Sequence, residues 1–233
     1  MAFDAPKLAD FYEGPMGRVV RRTILRRLQP LRPARPVTNA LGFGFAVPYL
    51  GTLQGEAQRV AAFMPMQQGI VAWPAGRPLT VVGEEFALPF PDEMFDFVLM
   101  IHGLEAAEAV RPMMRQVWRV MAPEGRLVIV APNRNSLWSQ FERSPFGWGH
   151  PYSRTQLDAL LHESMFTPDR WDSALYFPPL RARRYVGTGQ GWEKAGRTLW
   201  PRFAGVHLVA ATKSLFAATP LYVAEPQQAY VRA

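Results

Sequence analysis

Short apolar segments alternate with amphipathic ones through the middle of the chain. In residues 108–121, Met114, Val117, Val120 and Met121 recur at helical spacing while the arginines point away, which predicts a helix. The apolar runs are short and suit parallel strands covered on both faces; they lie at 37–43, 59–64, 79–83, 95–101 and 125–132. This alternation predicts an α/β fold with a doubly wound, mostly parallel sheet. Ligands of such sheets bind at the carboxyl ends of the strands.

Further segments flank this alternating region. Residues 8–29 form one predicted helix, because their apolar positions fall near helical spacing. A second helix is predicted at 153–166 and a closing strand at 205–217. We therefore expect three parts, which are a basic N-terminal helical extension at 1–36, the α/β domain at 37–219 and an extended or disordered C-terminal tail at 220–233.

Composition excludes several kinds of site. The 233 residues are 48% hydrophobic, which is ample for a sizeable core, and they include no cysteine. Disulfides, cysteine metal sites and thiol nucleophiles are therefore excluded. The four histidines show no metal-ligand spacing, so we expect no metal site. No apolar run approaches the roughly 20 residues of a membrane span, and the first residues show no leader pattern, so we expect a cytoplasmic protein with no transmembrane segment.

The charge is strongly basic, with a net charge of +7 and a pI of about 10.1. Such an excess can bind nucleic acid or an anionic membrane surface. A solvated helix face is the simpler interpretation of these arginines, and we favour it over binding to nucleic acid or to a membrane. The excess is concentrated at Arg18, Arg21, Arg22, Arg26, Arg27, Arg32 and Arg35.

Residues 83–133 carry a series of motifs in a fixed order and spacing. The series resembles the type 11 group of class I S-adenosylmethionine-dependent methyltransferases. The resemblance spans roughly residues 30–217, and it implies a Rossmann-like, seven-stranded sheet, S-adenosylmethionine as cofactor and a small-molecule methyl acceptor. The motifs are Leu88-Pro89-Phe90-Pro91-Asp92, Phe95-Asp96, Leu104-Glu105, Arg119-Val120-Met121, Pro123 and Gly125.

The resemblance also implies where the cofactor and the acceptor bind. Glu84, at the end of a strand, can accept hydrogen bonds from an adenine amine or a sugar hydroxyl, or it can belong to a solvated turn. His150 and Tyr152 are predicted catalytic residues, because that region covers the transferred methyl group in the family and both side chains can orient or deprotonate an acceptor. Packing of a lid is the alternative. The predicted cofactor-binding residues are Ala40, Gly42, Phe43, Gly44, Met64, Pro65, Glu84, Glu85, Phe86, Ile101, His102 and Gly103.

Three positions depart from the family pattern. In the acid-x-Gly-x-Gly-x-Gly loop, Ala40 replaces the leading acid and Ala46 replaces the third glycine. Met64 or a neighbour replaces the acid that holds the ribose. A hydrogen bond to a charged group contributes roughly 1.5–3 kcal/mol, so losing two carboxylates would weaken binding by about 10²- to 10⁴-fold. Gln67, Gln68 or backbone groups would have to compensate.

These features leave two functions open. The first is S-adenosylmethionine-dependent methyl transfer to a small-molecule acceptor, which the motifs at 83–133 favour. The second is a catalytically degenerate methyltransferase-fold protein that acts as a binding or regulatory partner of another protein, which Ala40, Ala46 and Met64 favour. RNA modification rests on basicity alone and ranks lower, because no RNA-binding module is recognisable.

Overall fold

A seven-stranded sheet forms the centre of the part of the chain that the computed structural model describes, residues 4–141, 144–179 and 189–214. The strands are β1 (Asn39–Gly44), β2 (Arg59–Pro65), β3 (Thr80–Gly83), β4 (Phe95–Ile101), β5 (Met121–Pro132), β6 (Phe166–Ala174) and β7 (Val206–Lys213). Their order in the sheet is β3-β2-β1-β4-β5-β7-β6. Strands β1 to β5 are parallel, and β7 runs antiparallel to both of its neighbours. The predicted doubly wound, mostly parallel α/β fold is confirmed.

Helices cover both faces of the sheet. The α-helices of the described residues are α1 (Ala5–Glu13), α2 (Pro15–Leu28), α3 (Val47–Leu50), α4 (Val110–Val120), α5 (Arg154–Glu163) and α6 (Gly189–Leu199). Successive side chains of a strand point to opposite faces, so Ala40 packs with the core beneath α1 to α3 while Leu41 packs with the core beneath α4 and α5. Helix α6 packs beside the end of β6, where Glu193 Oε1 accepts a hydrogen bond from the Tyr176 amide at 2.8 Å.

The N-terminal segment contains two helices rather than the single predicted one. Gly14 separates them with an extended backbone, φ −69° and ψ 162°. The cause is Pro15, which has no amide hydrogen to donate and disfavours a helical conformation in the preceding residue. Helix α2 then starts so close to α1 that a Cβ atom at Gly17 would lie 2.0 Å from the carbonyl oxygen of Phe11.

The N-terminal helices share their core with the sheet. Leu8, Tyr12 and Ile24 pack in the same cluster as side chains of β1 and β2. The boundaries predicted at residues 36 and 219 remain predictions, and the predicted C-terminal tail at 220–233 lies outside the described residues. Within the described ranges, no helix has both the length and the apolar character needed to cross a membrane.

The second half of the chain follows its predicted order with shifted limits. Helix α5 begins after Ser153, whose hydroxyl accepts a hydrogen bond from the Gln156 amide at 3.2 Å, and it ends early because Phe166 starts β6. Strand β6 is an edge strand whose middle residues are exposed or half-buried, so it lacks a clear apolar pattern. The strand predicted at 205–217 is β7, and it lies between β5 and β6.

Candidate functional site

The two glycines of the predicted cofactor loop, Gly42 and Gly44, still belong to strand β1. A Cβ atom at Gly44, where φ is +73°, would lie 2.5 Å from the carbonyl oxygen of Ile101 and 2.7 Å from the amide nitrogen of Gly103. A Cβ atom at Gly42 would lie 2.7 Å from the side chain of Leu50. Backbone atoms and the positive φ therefore require glycine at position 44, where the ends of β1 and β4 come together, whereas a side chain at position 42 would require the Leu50 side chain to shift.

Four other predicted cofactor residues are buried in β1 and β2. Ala40 and Phe43 are fully buried. Met64 is also fully buried, and its Sδ accepts a hydrogen bond from the Val71 amide at 3.4 Å. Pro65 is buried at the end of β2. Their side chains therefore serve the core in this structure.

The acids after β3 have separate roles. Glu84 and Phe86 are exposed, whereas Glu85 is buried. The Glu85 carboxylate accepts hydrogen bonds from the Glu108 amide at 2.9 Å and from Gln67 Nε2 at 2.8 Å. Glu85 thus fixes the segment that leads into α4, and its carboxylate is already engaged by this chain.

A buried hydrogen-bonded chain links the N-terminal helix to the end of β4. The Tyr49 hydroxyl donates to the Tyr12 hydroxyl at 3.1 Å, and the Tyr12 hydroxyl lies 2.8 Å from His102 Nε2. On the other side of the ring, His102 Nδ1 lies 3.0 Å from Glu105 Oε1. The consistent assignment has Tyr12 donating to Nε2 and the Nδ1 hydrogen donating to Glu105. Burial raises the pKa of Tyr12 and of Tyr49, so both hydroxyls stay protonated.

A cavity of about 390 Å³, called the polar cavity below, opens at the carboxyl ends of β2 and β4. Residues after β2, β4 and β5 form its walls, together with Leu8 of α1. The sheet changes direction of winding between β1 and β4, which is where α/β sheets bind ligands. The lining residues are Leu8, Gln67, Gln68, His102, Glu105, Ala106, Ala107, Glu108, Pro145, Trp148, Gly149 and His150.

Two side chains of the polar cavity have unused acceptors. Glu105 Oε2 and Gln68 Oε1 are buried and have no hydrogen-bond donor among the described residues. A buried acceptor left unsatisfied costs about 1–3 kcal/mol. The polar cavity therefore has acceptor capacity that a ligand rich in donors can satisfy.

Of the two predicted catalytic residues, His150 lines the polar cavity and Tyr152 does not. The His150 amide donates to the carbonyl oxygen of Glu105 at 2.8 Å, while its side chain is exposed at the rim. Tyr152 is half-buried beside the end of β5, and burial raises the pKa of its hydroxyl. The structure brings His150 together with His102, and the other predicted site residues lie outside the cavity lining.

Sequence reasoning did not assign Glu105 or Tyr12 to the site. Glu105 carries a usable signal, because an acid inside the apolar segment Leu104–Ala107 is seldom buried without a partner. Tyr12 carries none, since nothing in the spacing of a helix shows which distant strand it will contact. No group of three or more acidic or histidine residues in the described ranges is arranged to hold a metal ion.

The polar cavity fits the cofactor that the sequence resemblance implies. Its volume of about 390 Å³ lies within the usual range of ligand sites, roughly 300–1,000 Å³. S-Adenosylmethionine carries positive charge and many donors, and the cavity offers the Glu105 carboxylate, whose Oε2 is unused, and the unused Oε1 of Gln68. The fit depends on Gln67, Gln68 and Glu105, and not on Ala40 or Met64, where the family has acids.

Known proteins share the domain type and the fold of this chain. Residues 40–129 match the family model described as a methyltransferase domain, Methyltransf_11. Demethylmenaquinone methyltransferase of Corynebacterium efficiens is 35% identical over 113 residues, which are 48% of this chain and 47% of that protein. The stretch shared with such curated methyltransferases spans less than half of their length. The uncharacterized protein YafS of Escherichia coli K12 is 27% identical over 207 residues, 85% of this chain and 78% of that protein.

Solved structures share the fold at low identity. A SAM-dependent methyltransferase from Archaeoglobus fulgidus superposes with a TM-score of 0.59 at 18% identity, covering 84% of this chain and 94% of that chain. The chain therefore has the fold of the class I S-adenosylmethionine-dependent methyltransferases, and its residues 40–129 match the type 11 methyltransferase-domain model.

Proposed function

We propose that this protein transfers a methyl group from S-adenosylmethionine to a small-molecule acceptor, with the cofactor bound in the polar cavity. The observation that carries the proposal is the position of this cavity. It opens at the carboxyl ends of β2 and β4, beside the change of winding, in a chain with a type 11 domain.

Three side chains of the polar cavity replace the missing family acids. Glu105 provides a carboxylate, and Gln67 and Gln68 provide side-chain amides just after β2. When bound, S-adenosylmethionine supplies an electrophilic methyl group on a positively charged sulfur. Methyl transfer depends largely on proximity and alignment, so the main task of these residues is to fix positions.

The two histidines of the polar cavity have different roles. His102 is fixed from both sides by Tyr12 and Glu105, at 2.8 and 3.0 Å, so it shapes the wall of the site. The His150 side chain is exposed at the rim, where its imidazole can accept a proton from an acceptor oxygen or nitrogen. Tyr152 is the second proposed catalytic residue. It does not line the polar cavity, so it would have to act from next to the cavity wall that His150 forms.

Calorimetric titration with S-adenosylhomocysteine and S-adenosylmethionine tests the proposal. We expect saturable binding and a raised melting temperature. A ligand at about 100 times its dissociation constant stabilises a fold by ~2.7 kcal/mol, so the thermal measurement is sensitive. No heat and no thermal shift with either compound at millimolar concentration would contradict the proposal and favour the non-catalytic binding protein.

A substitution at the mouth of the polar cavity locates the binding. Ala106 is exposed and lines the cavity, so Ala106→Trp should fill the entrance and weaken S-adenosylhomocysteine binding by at least about ten-fold. Ala75 is exposed and does not line this cavity, so Ala75→Trp is the matched control. Equal affinity in both variants would place the cofactor elsewhere.

A further inference from the structure

A second cavity, called the aromatic cavity below, lies at the same edge of the sheet. Its volume is about 340 Å³. The residues come from the segments after β5 and β6 and from α6 and the turn that precedes β7. Six aromatic side chains form most of its wall: Trp138, Tyr176, Phe177, Trp192, Trp200 and Phe203.

Two of the indole N–H groups of this wall are already bonded to the protein. Trp138 Nε1 donates to the carbonyl oxygen of Phe177 at 2.7 Å, and Trp200 Nε1 donates to that of Tyr176 at 3.3 Å. No charged side chain is among the described lining residues. The cavity therefore offers apolar surface to a ligand and little else.

The wall is built by close packing. A Cβ atom at Gly196 would lie 2.3 Å from Tyr176 Cβ and 2.8 Å from Trp200 Nε1, so only glycine lets α6 approach these rings. At the rim, Phe203 is 57% exposed and Trp192 is 40% exposed. A preformed aromatic wall with an exposed apolar rim is typical of a ligand-binding site.

A row of three rings, Trp138, Phe146 and His102, lies between the aromatic cavity and the polar cavity. The rings of Trp138 and Phe146 are 5.6 Å apart, and those of Phe146 and His102 are 5.0 Å apart. Trp138 lines the aromatic cavity and His102 lines the polar cavity. The two cavities are thus separated by the buried ring of Phe146, and a molecule with an apolar part and a polar end can engage both by passing around this ring.

We infer that the aromatic cavity binds a single isoprenoid or acyl chain of the methyl acceptor. The polar end of that acceptor reaches the polar cavity. Methylation of the acceptor rests on the proposed function, whereas binding of the apolar chain does not depend on it. A concave site of this volume fits one apolar chain. A membrane surface or a second copy of the protein would instead need an apolar face that extends beyond the cavity.

Farnesol and 1-dodecanol are suitable probes, because they present such chains without a cofactor. Titration followed by calorimetry and by tryptophan fluorescence should give saturable one-to-one binding. Leu137→Trp should fill the cavity from its exposed rim, and Phe203→Ala should remove part of its wall. We expect each to weaken binding by about three- to ten-fold or more. Phe141→Ala changes an exposed phenylalanine outside the lining and should bind like the wild type.

Three outcomes would overturn the inference: no saturable binding, binding that both rim variants leave unchanged, or attachment only to vesicles of phosphatidylcholine and phosphatidylglycerol. A concentration-dependent dimer that both rim variants abolish would also overturn it. S-Adenosylhomocysteine is titrated into the same variants. If it binds while the chains do not, the inference fails and the proposed function stands; if the chains bind while it does not, the proposed function fails instead.

Discussion

Met64 illustrates how a family position can change its role without leaving its strand. The family places a ribose-binding acid at the end of this strand, but the Met64 side chain is fully buried and its sulfur accepts a bond from Val71. A carboxylate at position 64 would therefore be enclosed in the core, and it would not reach a ligand in the polar cavity.

We expect Met64→Asp to destabilise the protein by at least about 3 kcal/mol, because it buries a charge with no partner. Met66, two residues further along, is 57% exposed, so Met66→Asp is the control and should change stability by less than about 0.5 kcal/mol. Chemical denaturation measures both. A stable Met64→Asp protein that binds S-adenosylhomocysteine more tightly would show that this side chain does meet the ribose.

Glu105 should distinguish the charged cofactor from its neutral product. The substitution Glu105→Gln keeps an oxygen for the His102 Nδ1 hydrogen but removes the negative charge. We expect affinity for S-adenosylmethionine to fall by about ten-fold and that for S-adenosylhomocysteine to fall less, because only the former has a sulfonium. Glu108→Gln, on the exposed side of the cavity, should have a smaller effect. Equal losses for both ligands would contradict the charge argument.

The sequence indicated part of this site. His102 and His150 both line the polar cavity because they follow strands β4 and β5, and strand order positions such residues at this edge. Their cofactor-binding and catalytic roles stay predictions. The glycines of β1 were assigned to ligand contact, but a sequence pattern cannot show whether a ligand or a side chain such as Leu50 fills the space beside them. Glu105 belonged to a recognised motif without an assigned role.

At the scale of elements, α1 is the part that couples the N-terminal segment to the site. Tyr12 supplies the hydrogen bond to His102 and accepts one from Tyr49. Its ring also stacks on Phe45, just beyond β1, at 6.1 Å. Since α1 carries this contact, the position of His102 depends on a helix that is about 90 residues away in sequence.

We expect Tyr12→Phe to lower the free energy of unfolding by about 1–3 kcal/mol, because it leaves two buried groups without their partner. Tyr152→Phe, a half-buried tyrosine outside this chain of bonds, is the control and should cost less. Denaturant unfolding of both proteins measures the difference. An equal loss of unfolding free energy in the two variants would mean that the buried chain of hydrogen bonds adds no stability beyond the packing of the rings.

Strand β7 contains a histidine that should make stability depend on pH. Burial, with a smaller contribution from Arg154, lowers the pKa of His207 to about 4, and its Nε2 has no partner among the described residues. In the unfolded chain the pKa is near 6.5. Between these two pKa values His207 is protonated in the unfolded state and neutral in the folded state. The free energy of unfolding therefore falls as the pH drops from about 6.5 towards 4.

The variant His207→Gln isolates this effect. Near neutral pH its free energy of unfolding should differ from that of the wild type only by the cost of packing glutamine in place of histidine. Near pH 5 this difference should shift by about 2 kcal/mol in favour of the variant. Denaturation of both proteins across this range gives the comparison. A constant difference between the two at all pH values would mean that His207 titrates normally in the fold.

Elements with one dominant pattern were predictable, and elements with mixed exposure were not. Strand β4 is nearly all apolar and was recognised, while β6 has only its two ends buried and was missed. The break at Gly14 was missed because the apolar spacing continues across Pro15. Helix α6 lay in a segment rich in tryptophan and arginine, which gave no consistent period.

On the scale of the whole molecule, the basic N-terminal segment is largely held by its own chain. Arg21 Nε donates to the carbonyl oxygen of Pro48 at 2.5 Å, Arg35 donates to that of Glu124 at 3.1 Å, and Arg27 lies 3.9 Å from Asp172. Much of the charge that suggested a nucleic-acid or membrane surface therefore stabilises the packing of α2 and the following turn.

We expect binding to duplex DNA or RNA to be non-specific, with a dissociation constant of about 10⁻⁴–10⁻⁶ M near physiological salt and a steep loss at higher salt. Fluorescence anisotropy with labelled duplexes measures this. Arg22→Glu, at an exposed position of α2, is the comparison and should weaken binding only slightly. Nanomolar affinity that depends on nucleotide sequence would restore the RNA-modifying alternative.

The position of β7 between β5 and β6 has a consequence for synthesis on the ribosome. Strand β6 ends at Ala174 and β7 begins only at Val206, so β6 is translated before the strand to which it bonds exists. Until then β5 also has an open edge, which favours pairing with other chains. A nascent chain arrested after Leu199 should therefore be more sensitive to protease and aggregation than one extended past Lys213.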